Sequence, residues 1–140
     1  LSLDVRIDSK SAVLQVDEIF EQRIFGAKIC SAIRRTETEV DFLHFQVWRM
    51  RVLDNKTGKE ISTQLGISEP TVSRHVAKIR EHIKETIMQV VMQYSFTPEE
   101  EREPSVAGMG GNDSEFDAAV SEAYHHHQLF LEKESARNQV

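Results

Sequence analysis

Between Glu69 and Lys78 the chain places Glu69, Thr71, Ser73, Arg74 and Lys78 in one short stretch. These are short polar and basic side chains. Such groups hydrogen-bond the edges of bases and the oxygens of phosphates. The chemistry this set points to is recognition of a polyanion, with no bond made or broken. No glycine-rich phosphate cradle, nucleophile elbow or placed carboxylate pair stands out elsewhere, so the chain is read as a non-enzyme that needs no cofactor.

A recognition set of this kind must be carried on a helix, and the flanking residues supply one. Val72, Val76, Ile79 and Ile83 recur at four, three and four, an apolar stripe for one buried face. Ser68 can cap the helix, and Pro70 falls in its first turn, where a missing N–H costs nothing. A shorter helix precedes it. Thr57 and Glu60 form a capping-box pair, Ile61 and Leu65 share a face, and Gly66 supplies the left-handed residue that ends it. The two helices and their tight glycine turn make a helix-turn-helix over 57–84. Charge agrees: residues 43–84 hold eight Lys/Arg against four Asp/Glu, a net of +4, in a chain whose formal charge is −6. A basic island in an acidic protein is the footprint of a phosphate-binding surface.

The remaining elements are expected as follows. Residues 1–15 read as a linker with a short extended piece at Leu3 to Ile7. A helix over 16–35 carries Val16, Phe20, Ile24 and Ala27 on one row and Phe25, Ile29 and Ile33 on another. Thr36 and Glu39 form a second capping box opening a helix over 38–53, and Asp54-Asn55-Lys56 is a turn. The apolar stripe runs on from Ile83 through Ile87, Val90 and Tyr94. The last helix is therefore long or bends near Lys84, and its extra turns need a partner: the first helix, the tail, or a second copy of the chain. Residues 16–96 are read as the helical DNA-binding domain. Residues 97–114 read as an acidic, glycine-rich linker after a short turn capped by Thr97. Residues 115–140 are an acidic amphipathic tail. The fold class is all-α, a four- to five-helix domain with a C-terminal helix-turn-helix plus that tail helix.

At 140 residues this is one domain with tails. The lone Cys30 sits in a helical apolar pattern, which predicts a buried thiol and fits a reducing cytoplasm. No apolar run approaches membrane-spanning length, roughly 18 residues, and no signal peptide is evident. His125, His126 and His127 point about 100° apart on a helix, which argues against convergence on a metal. Residues 97–140 hold ten acids and three bases. An acidic arm beside a basic surface suggests self-masking or a partner dock, weighed against a solvated tail or a helix that completes the core.

Asp54 through Lys84 resembles region 4, the C-terminal promoter-reading domain of sigma-70-type RNA polymerase sigma factors, most closely the extracytoplasmic-function group. Leu65-Gly66-Ile67-Ser68 and Thr71-Val72 match that pattern without a gap, and helices at Glu18 to Arg35 and Phe42 to Leu53 also fit. The resemblance covers about residues 16–84. It implies binding to the minus-35 promoter element through the recognition helix, and docking on the β-subunit flap of RNA polymerase core. By matching position, Ser68, Glu69, Thr71, Ser73, Arg74 and Lys78 would face DNA, with Lys59 and Arg80 on phosphates. An anti-sigma factor is a further implied partner. The family often has bases where Ser73 and His75 stand, an apolar residue at Lys56 and alanine at Ser62. The promoter-melting domain, region 2, is not visible. Two other readings are a dimeric helix-turn-helix regulator of the response-regulator output type, pairing through the helix after Ile83, and a helical protein-interaction module.

Overall fold

The computed structural model describes the backbone of residues 2–138 and the side chains of residues 20–138. Six α-helices follow in order: α1 (Ser2–Glu39), α2 (Phe42–Trp48), α3 (Gly58–Leu65), α4 (Glu69–Tyr94), α5 (Pro98–Val106) and α6 (Asp113–Asn138), with a π-helical turn at Arg49–Leu53 extending α2. Among the described residues there is no strand, and the all-α class holds.

The helix ends follow local chemistry. The Thr57 hydroxyl accepts from the Glu60 amide at 3.1 Å and opens α3. Gly66 ends α3 at φ 68°, the left-handed conformation that side-chain-bearing residues avoid. The Ser68 hydroxyl accepts from the Thr71 amide at 3.2 Å and opens α4. Asn55 forms the turn before α3 at φ 55°. The Ser62 hydroxyl donates to the Ile67 carbonyl and staples the turn between α3 and α4, which alanine could not do.

The second expected capping box is not formed. Thr36 is fully buried inside α1, and its hydroxyl bonds back to the Ala32 carbonyl at 2.9 Å. α1 therefore runs on to Glu39, and Asp41 caps α2 by accepting from the His44 amide at 3.1 Å. Residues 2–15, expected as a linker with an extended piece, are helical. No proline or glycine interrupts the chain before Gly26, so helix already nucleated downstream propagates through them. Val16, expected on the first apolar row, lies outside the described side chains.

The core gathers one face from each helix. Ile29, Ala32 and Ile33 of α1, Phe45 and Trp48 of α2 and Ile61 of α3 meet the α4 stripe Val72, Val76, Ile79 and Ile83. α4 is one continuous helix, and its later stripe residues Ile87 and Val90 are buried too, with Val91 beside them, whereas Tyr94, expected to end the stripe, is 49% exposed. Their cover comes from within the chain. α1 packs along α4, and Phe116, Ala119 and Val120 of α6 enter the same core. The acidic tail is thus a helix that completes the core. Residues 97–114 are not a free linker. Thr97 caps α5, and Met109 in the following turn is buried.

Two contacts fix α1 against its neighbours. Lys28 is 5% exposed, with its ammonium 3.2 Å from the Ser95 hydroxyl, 3.4 Å from Glu100 and 4.0 Å from Glu103. α1 crosses α6 at Gly26, where a Cβ would come within 3.0 Å of the His127 Cβ. Arg23 lies 3.9 Å above the Phe130 ring on the same seam, so the two helices run antiparallel.

Candidate nucleic-acid interface

The interface is built on the first turns of α4. Ser68, Thr71 and Arg74 recur every three residues and face the same way. The Ser68 and Thr71 hydroxyls are 2.7 Å apart, and the Arg74 guanidinium donates to the Thr71 hydroxyl at 3.1 Å. One capping residue thus orders the chain of donors that ends on the guanidinium. That reduces the side-chain entropy Arg74 loses when it meets a ligand. Glu69, Ser73, Arg74 and Lys78 are exposed around it, and Lys59 is exposed on α3. The apolar stripe on the opposite side of α4 is buried, so this polar face is presented outward.

All eight sequence-predicted residues are exposed or half-buried on α3 and on α4 or its cap. Arg80 is placed differently. Its guanidinium is engaged by Asp117 of α6, Nε to Oδ1 at 2.9 Å and Nη2 to Oδ2 at 2.7 Å. This pairing, followed by the nearby Asp113 and Glu81 charges, raises the Arg80 pKa above its usual value against the opposing effect of burial.

A histidine pair beside this face joins two helices and escapes any local reading of the chain. His75 of α4 stacks on His44 of α2, with ring centroids 4.0 Å apart and planes inclined by 28°. Burial, then the neighbouring His44, push the His75 pKa down, while Asp41 pulls the other way. Asp41 itself is held below the usual carboxylate range, mainly by accepting from the His44 amide. His75 is one of the positions where the sigma pattern often has a base. Here it is a half-buried imidazole that holds its proton less tightly than usual.

The other candidate groups are structural. The Cys30 thiol is buried and pushed up by that burial. The three consecutive histidines of α6 diverge. His125 Nε2 lies 2.7 Å from the Leu53 carbonyl at the end of the π-helical turn, and His127 packs into the Gly26 crossing. His126 lines a shallow pocket with Phe25 and Ala123. Among the described residues no group of three or more His, Cys, Asp or Glu is placed to hold a metal, and no helix is long and apolar enough to cross a membrane.

Residues 46–83 match the family model "Sigma-70, region 4". The matched segment runs from the end of α2 into α4 and covers the helix-turn-helix up to its last residue. No curated protein and no solved structure matches the chain. A domain of this family binds promoter DNA in transcription initiation and acts with RNA polymerase.

Proposed function

The chain carries a sigma-70 region 4 domain, and from that premise we propose that it reads the minus-35 element for a sigma factor of the extracytoplasmic-function type. The observation that carries this reading is the ordered Ser68–Thr71–Arg74 chain on the outward face of α4, within the matched segment. Arg74 reads a base edge, and a guanidinium suits the two acceptors of guanine. Thr71, Ser73 and Glu69 complete the reading set from the first two turns. Lys78 and Lys59 contact phosphates and position the helix without specifying sequence.

Ser73 and His75 give this reader a less basic face than the family pattern usually has. Its affinity for DNA alone is accordingly low, and recruitment by polymerase core through the β-subunit flap provides the rest. An anti-sigma factor is the natural antagonist of that docking, and the cytoplasm is where such a protein works. The alternative of a dimer formed through the helix after Ile83 is less well supported. The stripe residues Ile83, Ile87 and Val90 are already covered inside the chain, which leaves Met88, Met92 and Tyr94 as the exposed apolar groups of that segment.

Arg74→Ala tests the reading. A duplex selected from a randomised pool by the unmodified chain should bind the variant about 1–3 kcal/mol more weakly, with relaxed preference at one base pair. Anisotropy titration measures both quantities. Unchanged affinity for the selected site would remove Arg74 from the reading set.

A further inference from the structure

Arg80 and Lys84 stand apart from the Ser68–Lys78 face, yet the two are linked to it. Ser73, Ala77, Arg80 and Lys84 succeed one another at four, three and four residues, so one row of α4 leads from the reading face to this pair. Arg80 lies about 10 Å further along the axis than Ser73 at the rise of an α-helix.

What occupies the pair has the shape of its absent ligand. Asp117 presents two oxygens to the guanidinium fork, at 2.9 and 2.7 Å. Asp113 places Oδ2 at 3.5 Å from Arg80 Nη1 and Oδ1 at 3.0 Å from Lys84 Nζ. A DNA phosphate offers the same fork-to-two-oxygens geometry. Arg51 and Asn55 line the cleft beside Arg80, Asp113 and Asp117, and the cleft opens to solvent with a volume of about 540 Å³. The preference of helix N-termini for acids accounts for an aspartate at position 113. It does not account for Asp117, which lies one turn further in and reaches across to α4.

We propose that Arg80 and Lys84 are a latent phosphate-binding pair, and that Asp113 and Asp117 occupy it in the free protein in place of DNA. This rests on the assignment of α4 as the DNA-reading helix. The carboxylates act twice, by engaging two cations and by setting negative charge beside the approaching backbone. Phe116, Ala119 and Val120 hold α6 in the core. The exchange is therefore one of side-chain partners, with the helix still docked. Asp113 is 62% exposed and yields first, whereas Asp117, at 19%, yields last.

The test uses the full chain, a labelled random-sequence duplex and a salt series. D113N/D117N should bind roughly 3- to 10-fold more tightly, with the slope of log affinity against log salt steeper by about 1–2, one unit per added phosphate contact. E132Q/E134Q removes the same charge from the far end of α6 and should leave the slope unchanged. Adding R80A/K84A to D113N/D117N should abolish the gain, while R80A/K84A alone should leave the slope near that of the unmodified chain. Circular dichroism and Tm establish folding, and D113N alone, at the exposed position, should retain part of the effect if D117N unfolds.

Three results would overturn the proposal: unchanged binding by D113N/D117N, an equal gain in E132Q/E134Q, or a gain that survives R80A/K84A. In each of them the unmodified chain still binds duplex. Failure of the unmodified chain and of D113N/D117N to bind any duplex would instead overturn the DNA-binding reading, and the latent pair with it.

Discussion

Replacing Lys28 by methionine keeps most of the side-chain volume and deletes the charge that joins α1 to α5. The ammonium is 3.4 Å from Glu100 and 4.0 Å from Glu103. At an effective dielectric near 20, a pair at the shorter distance attracts by about 5 kcal/mol before any desolvation is counted. The Glu100 and Glu103 side chains are 31% and 25% exposed. They can turn toward water once the cation is gone, so the net loss falls to about 1–2 kcal/mol. The pH dependence separates charge from packing. Burial raises the Glu103 pKa above its usual 4.5, and the Lys28 charge opposes that rise. A carboxyl with a raised folded pKa binds its proton more tightly when folded. Its ionisation therefore costs stability as pH climbs from 4.5 through the folded value. Without Lys28 that cost grows. Urea denaturation should show the Lys28→Met deficit in full at pH 7 and a smaller deficit at acid pH, where Glu103 takes up its proton. An equal deficit at both pH values would refute the electrostatic account and assign the role of Lys28 to its methylenes.

Gly66→Ala should cost about 1–2 kcal/mol by thermal denaturation, because φ is 68° and nothing lies within 4 Å of the added methyl, leaving the backbone as the whole cost. Gly66→Asn should recover part of that loss. The His75 imidazole should titrate below 6.5 by NMR, and His44→Gln should move it upward by removing the facing ring. Because His75 loses its proton more readily when folded, it withdraws stability as pH falls from 6.5 toward its lowered folded value. His75→Gln should flatten the acid limb of the stability profile.

Features that depend on neighbours three or four residues away were legible in the chain. Thr57, Gly66, Ser68 and Thr97 each end or begin a helix through a bond to a residue close in sequence, and each does so here. Thr36 and Asp41 show where that logic fails. Thr36 fits the pattern of a cap, yet Asp41 takes that role because Thr36 is enclosed by the core, which no local window reveals. Mixed polar composition made residues 1–15 look like a linker, and prolines and glycines did the same for 97–114. Helix persists in the first for want of a breaker, and the second is held by Lys28 from seventy-odd residues away. The exposed polar face of α4 was visible as a set of residue types at helical spacing. The fate of Arg80 was not, since Asp117 lies 37 residues on. Net acidity of the tail indicated only the sign of what it would touch.

The Gly26 crossing has a consequence for that distant ion pair. A residue without a side chain receives His127, and a Cβ there would meet it at 3.0 Å. The notch works as a detent, setting how far α6 can slide along α1. Asp117 lies ten residues before His127 on α6, about 15 Å along the same rigid rod. A shift at the detent is therefore transmitted to the carboxylates one for one. Glycine at position 26 thereby sets which cation of α4 is matched to which acid of α6, although it touches neither.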